Sequence, residues 1–424
     1  METPTPEDWT LELNEPVPTA VPVGAARREA HAAPIAKESR IDDMDIIRGM
    51  ALFGVLTMNL ALGFRVPFFG NPFSMPTGLL ERVVFRLELI LLSGKAMSLF
   101  SILFGAGLAI FLERARARGP GALGLLARRL LFLTGFGLAH ALLVWHGDIL
   151  TSYSLTGLIA LFFLQRRVSV VLIAAGGSLV WQALGPLWPA AAALAGREVP
   201  GHFQEAVRVY GTASYFDVVA FRAYEIFRLE MPGYIFLVPD ELTKMLLGIA
   251  IWRSGILRLE VREKHLRALR WVGFAGILYG MGYSLYRWIY FEIYHPPRVP
   301  PGMLGRIFSN FQIMALACAL GYGALLLLLL RRATWRKSLG IFAPLGRMAF
   351  TNYLTQSIVF STLFYGYGFG LLGKFGYVAM ALIGTAFYVL QGFVSTIWLR
   401  HFRFGPFEWA WRSLTYGQLQ PMRR

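Results

Sequence analysis

Charge is scarce in this sequence. Asp, Glu, Lys and Arg make up 16 % of its 424 residues, against about a quarter in soluble globular domains. With 56 % hydrophobic residues and a mean hydropathy of +0.51, this excludes an ordinary soluble domain and implies a chain that lives in a bilayer. Cysteine is almost absent: the single Cys318, in the apolar run Ala315 to Leu330, rules out an intrachain disulfide framework and any CxxC metal or redox site. The seven histidines are too dispersed for HExxH or another zinc pattern, and no P-loop GxxxxGK[ST] occurs. A soluble ATPase and a zinc hydrolase are set aside, and no metal site is expected. Acidic residues are also few, 25 against 41 Lys and Arg, giving a net charge of +16. In a soluble protein that excess would suggest nucleic acid. Here the bilayer accounts for it, and no nucleic-acid partner is expected.

A helix crossing the ~30 Å apolar layer needs roughly 20 apolar residues. Ten such runs are present: Ile46 to Phe64, Ala96 to Leu112, Leu130 to Trp145, Ile149 to Leu164, Val168 to Pro189, Met231 to Trp252, Leu269 to Tyr290, Ile307 to Leu330, Met348 to Gly366 and Phe375 to Leu399. The sixth is interrupted by Pro239, Asp240, Glu241 and Lys244, which reads as the start of a shorter helix. Basic residues gather between alternate runs, as in Arg114, Arg116, Arg118, Arg128 and Arg129, then Arg331, Arg332, Arg336, Lys337 and Arg347. Lys and Arg accumulate on the cytoplasmic side, so both termini are expected there. The expected fold class is all-α, a polytopic transmembrane bundle of about ten spans. Residues 1–40 read as a disordered cytoplasmic tail, 41–230 as an N-terminal membrane half and 231–424 as a C-terminal one. Two longer outer segments stand out: Arg65 to Gly94, with a partly amphipathic stretch Leu79 to Leu92, and Gly196 to Glu230, read as a small external cap.

Ionisable and strongly polar groups inside such a bundle are costly unless paired, so each invites a functional and a packing reading. Asp45 and Arg48 are spaced to pair on one helix face. Asn59 is either interhelical glue or a substrate contact. The third and fourth runs are short, about 16 residues each and about 24 Å at helical rise. Their junction, Trp145-His146-Gly147-Asp148, is therefore expected to dip below the outer surface and leave a hydrated pit. His140 would face the same space, and a histidine beside a carboxylate can act as a general base. The alternative makes Asp148 a helix cap and His140 a packing residue. Lys95 either snorkels to the interface or stabilises a developing oxyanion. Thr351, Asn352, Thr355 and Gln356 form one polar stripe that faces either other helices or a cavity, where Arg347 would meet a phosphate. The run Gly105-Ala106-Gly107 reads as a close helix crossing.

Several motifs carry a family resemblance. Asp45-Ile46-Ile47-Arg48-Gly49 leading into Met58-Asn59, Gly94-Lys95 with Leu99 to Gly105, and His140 with Trp145 to Leu150 resemble the YeiB-like bacterial polytopic membrane proteins. Gly346-Arg347-Met348-Ala349 through Gln356-Ser357, and Phe404-Gly405-Pro406-Phe407-Glu408 through Trp411-Arg412 to Gly417, resemble that family's C-terminal domain of unknown function 418. The Asp-x-x-Arg-Gly…Asn entry helix is similar to that of transmembrane acyltransferases, including heparan glucosaminide N-acetyltransferases, which use cytosolic acetyl-CoA. Asn59 matches their Asn. Their histidine soon after that helix has no counterpart between Leu60 and Gly94, so the base role passes to His140 or His146 with Asp148.

The resulting expectation is an acyltransferase of the bacterial cytoplasmic (inner) membrane that moves an acyl group from acyl-CoA (acetyl-CoA) to an extracytoplasmic glycan, lipid or small molecule. His140, Asp148, His146, Asn59 and Lys95 are its expected catalytic residues, and Asp45, Arg48, Arg347, Asn352 and Gln356 its binding residues. Expected partners are the lipid bilayer and the acceptor, with a homodimer left open. The alternative is a transporter or exporter of a small polar or anionic solute through the same cavity.

Overall fold

The computed structural model describes residues 42–64, 78–184, 199–256, 263–293 and 310–424. The expected tail, residues 1–40, and the proline-containing stretch 67–76 lie outside the described residues. The chain is helical nearly throughout: α1 Asp42–Asn59, α2 Leu79–Leu91, α3 Lys95–Arg116, α4 Ala122–Leu143, α5 Leu150–Ala160, α6 Val168–Leu184, α7 His202–Thr212 and α8 Tyr215–Tyr224. There follow α9 Tyr234–Arg253, α10 Glu263–Ile293, α11 Phe311–Leu330, α12 Ala333–Leu339, α13 Ala343–Arg347, α14 Ala349–Phe364, α15 Tyr377–His401 and α16 Pro406–Tyr416. Strand pairing among the described residues is confined to one bridge, Phe402 with Arg423. The spacing GxGxxG does occur, at 119–124 and 368–373, but each copy follows a helix rather than the strand a dinucleotide-binding turn requires.

A helix stands at each of the ten apolar runs. Five stretches among the described residues are long and apolar enough to cross a membrane: Asp42–Phe64, Leu79–Arg116, Ala122–Leu143, Phe311–Leu330 and Tyr377–His401. The chain is a membrane protein built as an all-α bundle. Helices α5, α6 and α14 are shorter, at 11, 17 and 16 residues. The third run departs from expectation. Arg128 and Arg129 do not end its helix, because α4 starts at Ala122 and runs 22 residues. The Arg129 guanidinium is covered by the Trp411 ring at 3.6 Å and the Phe111 ring at 5.2 Å, a protein-lined setting that an arginine tolerates. Only α5 of the two expected short helices is short.

Pro239 does not begin a helix either, since it lies inside α9. The charges beside it pair internally: Lys244 reaches Asp240 at 2.6 Å and Glu241 at 3.5 Å, all three buried. Glu241 also accepts a hydrogen bond from Ser101. Thus α9 is a central helix, packed on α3, α5 and α6. The amphipathic α2 turns Leu79, Leu80 and Leu87 outward and buries Phe85 and Glu88. Its Glu81 accepts the Tyr377 and Val378 N–H groups at 2.5 and 3.3 Å and so caps α15.

The α3–α9 crossing depends on reciprocal glycines. A Cβ on Gly105 would stand 2.0 Å from the Met245 carbonyl oxygen, and one on Gly248 would stand 1.9 Å from that of Ile102. Both obstacles are backbone, so the helices must separate to relieve them. Gly107 meets nothing within 4 Å. Gly248→Ala is expected to destabilise the detergent-solubilised protein by about 1–3 kcal/mol or more, read as a lower thermal unfolding midpoint, while Gly107→Ala leaves the midpoint unchanged or slightly raised. Equal midpoints for the two variants would show that the crossing is not tight.

Candidate functional site

The bundle contains a cavity of about 560 Å³. Its walls come from α1, α3, α4, α5, α13, α14 and α16, and its mouth lies at the end where α3 stops and α4 begins. Arg114, Arg118, Arg129, Arg347, Arg412 and Arg48 line it toward this end. The basic-residue bias reads this end as cytoplasmic. Two carboxylates, Asp45 and Glu408, also border the space, and both are engaged. Asp45 accepts from Arg48 at 2.8 Å. Glu408 accepts the N–H groups of Phe350 and Thr351 at 2.8 and 3.0 Å and the Thr351 hydroxyl at 2.5 Å, capping the positive end of α14. The cavity therefore carries an excess of positive charge. Deeper in, its walls are apolar and aromatic, including Phe100, Leu103, Phe104 and Phe111, and its floor includes Ile149, Tyr153 and Tyr353.

The histidine–aspartate pair lies against this floor. His140 Nδ1 is 2.8 Å from Asp148 Oδ1, and both side chains are 2 % exposed. Asp148 Oδ2 accepts the Thr151 N–H at 2.7 Å, so the carboxylate caps α5 and holds the imidazole at once. The cap expected of Asp148 is present, and the same carboxylate contacts His140. His140 Nε2 has no hydrogen-bond partner among the described residues, and the imidazole lies 5.2 Å from the Tyr353 ring. The Tyr353 hydroxyl is 3.3 Å from both Gly147 O and Ile149 N, which ties the Trp145–Ile149 loop to α14.

Other expected site residues are placed elsewhere. His146 joins a separate cluster: its Nδ1 is 3.0 Å from the Tyr210 hydroxyl, which donates to Glu225. Lys95 is fully buried, with Nζ bonded to Leu89 O at 2.9 Å and near Ser284 at 3.4 Å, so its ammonium serves helix packing rather than the His140 pair. Asn59, half-buried in the last turn of α1, does not line the cavity. The polar stripe on α14 faces α15 and α16 instead of open space, with Thr351 held by Glu408. Asn352 donates to Ser395 at 3.1 Å and to Leu345 O at 3.3 Å, and Gln356 donates to Gln391 at 2.8 Å. Asp45, Arg48 and Arg347 do border the cavity. The expected pit opening outward is not what forms: the loop is covered by α7 and α8, with Tyr215 donating to Leu143 O and Arg222 to Leu142 O. Tyr153, Tyr353 and Glu408 went unrecognised, although Glu408 sits in the recognised Gly405-Pro406-Phe407-Glu408 motif.

Similarity to known proteins covers nearly the whole chain. Residues 251–418 match the family described as Protein of unknown function (DUF418). The uncharacterized protein YxaH of Bacillus subtilis (strain 168) is 33 % identical, covering 92 % of this chain and 98 % of the relative. The uncharacterized protein YeiB of Escherichia coli (strain K12) is 29 % identical, covering 89 % of this chain and 97 % of the relative.

Burial in the segment formed by α7, α8 and the turn after them sets a pH dependence. Glu225 is held up at about 7, chiefly by burial, with the Tyr210 hydrogen bond and Arg222 pulling the other way. A carboxyl raised in the folded state contributes stability that is complete below its ordinary value of 4.5 and is lost as pH climbs to about 7. His202, lowered by burial, gives the opposite slope below its ordinary 6.5. In Glu225→Gln, the midpoint advantage of the parent is expected to shrink as pH rises through that window. A difference independent of pH would place Glu225 in solvent. On sequence and architecture together, the chain belongs to the YeiB-like DUF418 family of membrane proteins.

Proposed function

We propose that this protein moves an acyl group from a CoA thioester, bound in the arginine-lined cavity, to a hydroxyl or amine presented from the opposite side of the membrane. One observation carries the reading. A single cavity has a cluster of arginines at its mouth and a buried histidine–aspartate pair against its floor. Arginine suits phosphates, because its planar fork donates two parallel hydrogen bonds and keeps its charge. The aromatic middle of the cavity suits the flexible arm and acyl chain of a thioester.

In this reading Asp148 accepts Nδ1–H, which fixes the tautomer and leaves the Nε2 lone pair of His140 as the base. Nε2 takes the acceptor's proton as the acceptor oxygen or nitrogen bonds to the thioester carbon. The C–S bond then breaks and the imidazolium returns the proton to the departing thiolate, giving acylated acceptor and free CoA. Because Tyr353 lines the floor and His140 does not, Tyr353 gives way when thioester is bound. The acceptor class is an extracytoplasmic glycan, lipid or small molecule.

The test incubates purified protein in detergent with acetyl-CoA and follows thermal stabilisation and CoA release in the presence of hydroxyl and amine acceptors. Acetyl-CoA is expected to stabilise the parent. His140→Ala should keep that stabilisation while CoA release falls about 10²–10⁴-fold, and Arg114→Gln with Arg118→Gln should weaken binding. Neither stabilisation nor release from a folded parent refutes the proposal.

A further inference from the structure

At the end of the bundle away from the cavity mouth, the buried cation Arg222 makes no ion pair among the described residues. Arg222, on α8, is 0 % exposed. Its guanidinium makes a single hydrogen bond, Nη1 to Leu142 O at 2.8 Å. Nε and Nη2 have no hydrogen-bond partner among the described residues. Glu225 acts on Arg222 through space but makes its hydrogen bonds to His202 at 3.0 Å and to the Tyr210 hydroxyl. A buried guanidinium with two unmet N–H groups is expensive for a fold to keep. Replacing it with an apolar side chain would be the cheaper arrangement if it served packing alone.

The unmet donors are not isolated. The Trp145 indole faces the Tyr365 hydroxyl oxygen as a donor, and the Tyr365 O–H itself has no acceptor among the described residues. The Arg222 guanidinium lies 5.9 Å from the Tyr365 ring, and the Phe64 ring contacts both aromatics, with centroids at 4.7 Å from Trp145 and 6.1 Å from Tyr365. Unmet donors from two separate segments, Arg222 on α8 and Tyr365 after α14, therefore lie close together. Nε and Nη2 also share one edge of the guanidinium plane. That edge binds both oxygens of a carboxylate or phosphate side by side.

We infer that Arg222 and Tyr365 form a closed oxyanion site for a carboxylate- or phosphate-bearing ligand, with Arg222 supplying the charge and the bidentate edge and Trp145 holding the tyrosine oxygen. The site does not depend on acyl transfer, since an anionic acceptor and an anionic exported solute present the same group. Helices α7 and α8 cover it through the Tyr210–His146 contact and the Tyr215 bond to Leu143 O, so a ligand enters when these part.

The test titrates purified protein in detergent with inorganic phosphate and, separately, with acetate, against chloride at matched ionic strength. The readouts are the thermal midpoint and a Kd from its saturation. At least one oxyanion is expected to stabilise the parent saturably, and a preference between the two separates a phosphate ligand from a carboxylate ligand. Arg222→Lys, which keeps the charge but loses the paired edge, should raise that Kd at least tenfold. Tyr365→Phe should raise it severalfold without lowering the ligand-free midpoint, which keeps the test decisive if Arg222→Lys folds poorly. Arg114→Gln with Arg118→Gln, at the other cavity, should leave it unchanged. The inference is overturned if neither oxyanion saturates, or if the stabilisation survives Arg222→Lys and Tyr365→Phe but disappears with the Arg114 and Arg118 substitutions.

Discussion

Inside an apolar bundle every polar side chain must find a partner or cost the fold several kcal/mol, and this constraint organises the molecule. Most of its buried polar groups are spent on holding helices together. Lys244 neutralises Asp240 and Glu241 within α9. Glu408 crosses from α16 to cap α14, and Asn352, Gln356, Gln391 and Ser395 knit α14 to α15. Unmet bonding capacity remains at several places among the described residues, and two of them bear on the proposals: His140 Nε2 stands behind the cavity floor, and Arg222 and Tyr365 stand beneath α7 and α8.

The two places lie on opposite sides of one loop. Residues Trp145 to Ile149 are held from the α14 side by the Tyr353 hydroxyl and from the external side by Tyr210 on His146. The same loop delivers Asp148 to His140 and to the start of α5. A displacement on the external side therefore reaches the histidine–aspartate pair through a few bonds of backbone. Helices α7 and α8 thereby cover the loop that carries Asp148.

Much of this was legible in the sequence, and the failures have physical reasons. Each of the ten apolar runs carries a helix, because hydropathy reports burial in hydrocarbon directly. The Asp45–Arg48 pair, the double role of Asp148 and the tight crossing at Gly105 followed from spacing and residue type alone. Lys95, Asn352 and Gln356 were read as site candidates because a polar group in an apolar run has two explanations that look identical in one dimension. Only the third dimension shows that their donors are taken up by Leu89 O, Ser395 and Gln391. The outward-opening pit was expected because a third helix that began after Arg128 and Arg129 would have been short. With Trp411 and Phe111 covering Arg129, α4 extends past them, and arginines that seemed to report topology alone become the lining of a cavity. No sequence signal links Trp411 to Arg129, since the contact joins helices almost three hundred positions apart.

The central claim is that the arginine-lined cavity and the His140–Asp148 pair are two parts of one site. A density map of the protein bound to a non-hydrolysable acyl-CoA analogue tests this most directly. The account predicts phosphate density among Arg114, Arg118, Arg347 and Arg412, with the carbonyl end of the analogue at the Tyr353 floor and the tyrosine ring displaced toward exposing His140. Phosphates bound at the opposite end of the bundle, or an analogue lodged in the cavity with its carbonyl directed away from an undisturbed Tyr353, would contradict it.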